Sequence, residues 1–131
     1  MPIVVIDTNV IVSALLSPNG KSAKVLDLAL GKQLQILYDS RILSEYEEVL
    51  HRPKFPFKSE DKDNLLSRII LRGVAVTVNP LDIPFIDESD KKFYEIAVQC
   101  NARLITGNLK HFPQDGIALS VSDFLEAVFI A

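Results

Sequence analysis

Three carboxylates fall where a buried element ends or begins: Asp7 after the apolar run Val4 to Ile6, Glu45 in "SRILSEYEEVL", and Asp90 in "DESDKKF". Asp7 reads plainly as the cap of a helix starting near Asn9, because an Asp side chain satisfies the orphan amides of a first turn. Glu45 lies at the edge of an apolar stripe made by Ile42, Leu43, Tyr46, Val49 and Leu50, where a solvated glutamate is ordinary. Asp87 and Asp90 both suit a positive helix N-terminus, Asp87 as the cap and Asp90 in the third helical position. Singly, each signal is bland. Jointly they bring three acids to elements that follow strands, and converging acids raise one another's pKa unless a cation neutralises them. An all-oxygen donor set suits Mg2+ or Mn2+ rather than zinc. Clusters of that kind hydrolyse phosphodiesters by polarising the phosphate and activating water.

The elements that must position these acids are legible from hydrophobic pattern. Pro2 to Ile6, Leu34 to Tyr38, Val74 to Val78, Arg103 to Thr106 and Ile117 to Val121 are short and almost uniformly apolar, as in parallel strands covered on both faces. Between them lie helical stripes. Val25, Leu26, Ala29 and Leu30 share a face before Gly31, and the Ile42–Leu50 stripe follows two good cap residues, Asp39 and Ser40. Leu65, Leu66, Ile69 and Ile70 mark a helix closed at Gly73; Phe93, Ile96, Ala97 and Cys100 mark another, and Phe124, Leu125 and Val128 the last. The segment "HRPKFPFKSED", with its prolines and charges, is an irregular loop. Alternating strands and helices imply a doubly wound α/β sheet, whose ligands bind beyond the carboxyl ends of the strands.

A chain of 131 residues is expected to form a single domain, 1–131, with a sizeable core. A hydrophobic share of 48% with 24% charged residues excludes a disordered chain. No apolar run is long enough to span a membrane, no basic leader precedes the first strand, and one cysteine excludes a disulfide framework or a cysteine-built zinc site. These features point to a reducing cytoplasm. A net charge of −3 argues against binding nucleic acid by bulk positive charge, yet leaves room for basic residues beside an acidic centre. Arg41, Lys110, Lys54 and Lys58 are candidates for phosphate contact.

The segments "VVIDTNVIVSALL", "SRILSEYEEVL", "DESDKKFYEIAVQCNARLITGN" and "LKHFP", in this order, resemble the PIN domain family, and within it the prokaryotic toxin-like (VapC-like) branch of toxin–antitoxin pairs. The resemblance covers nearly the whole chain. It implies a three-layer α/β/α fold with a five-stranded parallel sheet in order 3-2-1-4-5, and Mg2+- or Mn2+-dependent ribonuclease activity. Position by position, Asp7, Glu45 and Asp90 match the family's acidic metal-site residues, and Asn9 and Thr106 match the polar residues supporting them. An antitoxin protein and a homodimer are further implied. One departure stands out: where many members read T-G-D, this chain has Asn108. An amide oxygen can still ligate, but it brings no charge, so a second metal is weakened more than a first. Asp87 or Asp115 is a possible compensating acid.

The resulting expectation is a metal-dependent endoribonuclease and toxin component, with Asp7, Glu45, Asp90 and Asn108 at the metal and Asp87, Asn9 and Thr106 in support. The competing expectation is a PIN-like binding module without turnover, which Asn108 favours. An aspartyl phosphatase using Asp7 as nucleophile requires a second acid two residues on, where the chain has Asn9. Neither histidine suggests general-base chemistry: His51 ends a helix, and His111 reads as a turn or surface residue. Cys100 reads as a small core hydrophobe.

Overall fold

The computed structural model describes residues 1–130, with side chains through residue 128, so the last residue of the expected domain lies outside the described residues. Strands β1 (Ile3–Ile6), β2 (Gln35–Tyr38), β3 (Val74–Ala75), β4 (Arg103–Ile105) and β5 (Ala118–Leu119) form one parallel sheet in the order β3-β2-β1-β4-β5. Helices α1 (Thr8–Leu16), α2 (Lys21–Leu30), α3 (Ser40–Leu50), α4 (Ser59–Arg72), α5 (Lys91–Gln99) and α6 (Val121–Ile130) flank it in an α/β/α arrangement. Val4, Val5, Ile6, Ile36, Leu104 and Ile105 are wholly buried, which explains why the strand sequences lack polar alternation. No described helix is long and apolar enough to cross a membrane.

The strand order reverses at β1, which lies between β2 and β4. Its carboxyl end is therefore the switch point where such sheets open a crevice. Local sequence fixes what lines that crevice. Asp39 Oδ1 accepts a 3.0 Å bond from the Ile42 amide and starts α3, whose Ile42, Tyr46 and Leu50 face the core at four-residue spacing. The Tyr46 hydroxyl, fully buried, donates to the Ile6 carbonyl and ties α3 to the end of β1. Glu60 and Asp61 in the first turn of α4 and Arg72 in its last complement the helix dipole. Gly73 ends α4 because a Cβ there would lie 2.7 Å from the Ile69 carbonyl oxygen and 2.8 Å from Tyr38 Cε1. The irregular segment expected around Lys54 separates α3 from α4, with Phe55 and Phe57 stacked at 5.4 Å between ring centroids.

Two strands end more than one residue short of the sequence expectation; the other boundaries agree to within a residue. β3 pairs with β2 only through Ala75 rather than continuing to Val78. After the Val76 amide bonds to the Tyr38 carbonyl at 2.9 Å, the chain leaves the sheet and is anchored on α5 instead. There Gln99 pairs with both backbone groups of Asn79, and the buried Glu95 accepts from the Leu81 amide at 2.7 Å. Val121 begins α6 instead of closing β5, because Ser120 Oγ accepts from the Asp123 amide at 3.0 Å. Cys100 is half-buried against the core at the end of α5, as its apolar stripe suggests.

Candidate metal centre

Asp7 occupies the N-cap position of α1, yet its side chain makes no cap bond into the helix. The carboxylate turns instead to β4's end. Thr106 Oγ1 donates to Asp7 Oδ2 at 2.7 Å, and Asn9 Nδ2 approaches the same oxygen at 3.4 Å. Both supports are themselves held: Thr106 Oγ1 accepts from the Asn108 amide at 2.9 Å, and Asn9 Oδ1 accepts from the Gly107 amide at 3.0 Å. A Cβ on Gly107 would press to 3.3 Å from Asn9 Oδ1, so glycine lets the loop approach. Asp7 is only 4% exposed. Burial, opposed by the Thr106 bond and reinforced by the charges of Asp90 and Glu45, pushes its pKa up to about 6.

Glu45, on the crevice side of α3, is held by two donors. Thr8 Oγ1 donates to its Oε2, and Lys92 Nζ lies 2.7 Å from its Oε1. Asp90 closes the 3₁₀ turn Glu88–Asp90 and sits at the N-cap position of α5. Asp87 caps that turn through the Ser89 amide at 3.0 Å, as its sequence position suggests. Burial pushes Asp90 up from the usual carboxylate range; the His111 bond opposes this, and the charges of Asp87 and Glu45 add to it. Asp87 is pulled down by its bonds from Ser89.

His111 lies in a second 3₁₀ turn, Leu109–His111, as its sequence position suggests, and there its Nδ1 is 3.0 Å from Asp90 Oδ2, a contact the sequence does not signal. One potential ligand atom each from Asp87, Asp90 and His111 lie within 4.8 Å of one another, a group that does not include Asp7 or Glu45. Lys92 likewise carries no signal of its role in the sequence. A lysine two residues after an acid at a helix start has no distinguishing pattern; only the fold brings it to Glu45.

The other candidates are distributed as follows. Asn108 is exposed at the start of the second 3₁₀ turn, its amide bonded to Thr106. Asp115 does not join the acids: it accepts from Tyr94 and, at 3.0 Å, from the Ile117 amide. The Arg41 guanidinium pairs with Asp39 at 2.7 Å and with the buried Glu95 at 2.8 Å, so it braces α3 against α5. Lys110 is exposed beside His111. His51 stacks onto the end of α3, its Nδ1 2.8 Å from the Glu47 carbonyl oxygen, and takes no part in the centre.

The donor chemistry fits a divalent ion. Asp7, Glu45 and Asp90 would offer carboxylate oxygens from three elements at the switch point, where the charges of Glu45 and Asp90 each raise the Asp7 pKa. His111 adds one nitrogen at the rim, a donor better matched to Mn2+ than to Mg2+.

Comparisons with known proteins agree with this architecture. A family model described as PIN domain matches residues 3–110. An uncharacterized protein of Methanocaldococcus jannaschii is 36% identical over 109 residues, 80% of this chain and 70% of that protein. Among solved structures, a chain of VapBC2 from Rickettsia felis, bound to a DNA fragment from their promoter, superposes with a TM-score of 0.63. It is 20% identical and the match covers 90% of this chain and 98% of that one. The order of strands, the acids at the switch point and the family match over most of the length converge: the chain belongs to the PIN domain family.

Proposed function

We propose that the protein is a metal-dependent endoribonuclease acting as the toxin of a toxin–antitoxin pair. The observation that carries the reading is the buried Asp7, whose carboxylate feels both Asp90 and Glu45 and is held toward the crevice by Thr106 instead of capping its own helix. Building a repulsive cluster at the sheet's switch point costs stability, and a divalent cation offsets that cost. Asp7, Glu45 and Asp90 would hold Mg2+ or Mn2+, with Asn108 or His111 completing the rim. When bound, the ion supplies Lewis-acid polarisation of the phosphate and activation of water.

The chain's own residues then have defined tasks. Thr106 and Asn9 orient Asp7, and their anchoring to the Gly107–Asn108 backbone keeps that carboxylate from swinging into the helix. Thr8 fixes one Glu45 oxygen. Lys110, exposed beside the site, is placed for a phosphate contact, whereas Arg41 contributes by bracing the helices. The VapBC2 likeness supports an antitoxin partner, and a soluble homodimer working in the cytoplasm completes the proposal. Purified protein should cleave RNA in Mn2+, and Asp7→Asn should abolish cleavage. Equal cleavage by both proteins would expose a contaminant and sink the assignment.

A second reading has its own observation. Lys92 and His111 already partner two of the acids, and Asn108 lacks the charge of the family's fourth acid. A binding module without turnover would bind no Mn2+ in calorimetry. A nuclease should bind one equivalent, with a second appearing in Asn108→Asp.

A further inference from the structure

Both oxygens of Glu45 are taken: Oε2 by the Thr8 hydroxyl, Oε1 by the Lys92 ammonium. Each oxygen keeps a second lone pair, so the Thr8 bond does not bar a divalent ion. An ammonium 2.7 Å from Oε1 repels one, and the ion gains this carboxylate fully only when the charged donor yields. Thr8 is 5% exposed in the first turn of α1, next to Asp7, and has nowhere to go. Lys92 hangs on a flexible stem from α5; its side chain is 13% exposed, and its Nζ also donates to the Ser89 carbonyl and lies 5.1 Å from the Phe93 ring centroid. The lysine is the group that can move.

We infer that Lys92 is a tethered counter-cation that releases Glu45 to the divalent ion and then contacts the scissile phosphate of the RNA. The inference rests on the nuclease reading. Three ionised carboxylates are cancelled together by one divalent ion and one ammonium, so Lys92 is not redundant once the ion is in place. Its Ser89 contact keeps it at the mouth of the site, beside Asp90. An ammonium freed from a carboxylate there meets the substrate phosphate as the next available anion, and lysine serves such contacts as a point charge. No bond is made or broken in the handover.

A purely structural strap between α3 and α5 predicts the opposite sign for metal affinity, which makes the two roles separable. Mn2+ is titrated by calorimetry into metal-free full-length chain without RNA, for wild type, Lys92→Met and Lys91→Met. The last carries the same charge change at a lysine whose acidic neighbour is Glu88, at 3.9 Å. Handover predicts about fivefold tighter Mn2+ binding in Lys92→Met, the order of one lost competing ion pair, and no tightening in Lys91→Met. Equal or weaker binding in a Lys92→Met protein that still melts cooperatively overturns the handover. At saturating Mn2+, RNA cleavage should drop about a hundredfold in Lys92→Met and return largely in Lys92→Arg; wild-type cleavage by Lys92→Met overturns the phosphate contact. If wild type binds Mn2+ but leaves RNA intact, the nuclease reading falls while calorimetry still decides the handover. Unchanged affinity in Lys92→Met beside an active wild type removes the handover alone.

Discussion

Asp7 is 4% exposed and fixed by side chains that are themselves bonded to backbone, whereas Asp87 is exposed, and Asp90 with His111 rides on two 3₁₀ turns at the rim. The inner carboxylate inherits its position from strand ends that the core has already ordered. The outer group depends on turns whose placement follows from connections on the surface. Under the proposed function the inner half would set whether an ion binds at all, and the outer half would adjust which ion and how firmly. The electrostatics follow the same division. Burial raises Asp7 to about 6, while its two bonds from Ser89 hold Asp87 low.

The comparison breaks most visibly if Asp7 is dispensable. Asp7→Asn should lower Mn2+-dependent RNA cleavage by about 10³-fold, measured at saturating metal, while the same change at Asp87 should leave most of the activity. Comparable losses at the two positions would erase the distinction between inner and outer acids.

The next largest effect is on stability without metal. A carboxylate whose folded pKa is raised stabilises the fold when protonated, so its contribution is fully present below the unfolded value, 3.8, and is lost as pH rises through about 6. The loss is on the order of 2–3 kcal/mol. In chelator, Asp7→Asn should therefore melt higher than wild type at pH 7.5 and lose that advantage near pH 4. A pH-independent difference would mean that Asp7 is not ionising in a buried setting.

Thr106→Val removes the donor to Asp7 while keeping the shape of the side chain. Mn2+ affinity should fall by about 10- to 100-fold, the usual effect of losing a group that orients a metal ligand. The smallest effect is expected at the rim: His111→Ala should weaken Mn2+ by only about threefold while leaving Mg2+ nearly unchanged, because it removes a nitrogen donor. Calorimetry with both ions sharpens the division, and equal loss for the two ions contradicts it.

Much of the positioning frame was readable because hydrophobic pattern reports burial directly. The uniformly apolar strands and the Ile42–Tyr46–Leu50 stripe lie where the pattern puts them, so the elements carrying Asp7 and Glu45 were placed correctly. β3 was overextended because Val74 to Val78 is apolar throughout, and the end of pairing depends on β2 and on anchors such as Glu95 that lie far along the chain. The start of α6 had a local signal in Ser120 and Asp123, an S-x-x-D cap hidden by the apolar run around it. Lys92 and His111 had none. Lone basic residues at helix starts and turns are usually solvated, and only the meeting of α3, α5 and the second 3₁₀ turn gives these two their acidic neighbours.

The early departure of the chain from β3 also bears on aggregation. A sheet edge with free amides and carbonyls invites a strand from another molecule. Here the edge strand spans two residues, and the backbone that follows spends its polar groups on Gln99 and Glu95 of α5, with Pro80 and Pro84 interrupting the stretch. The same side chains that carry the chain across to the turn bearing Asp90 thus also deny a neighbouring molecule the ladder it would need to extend the sheet.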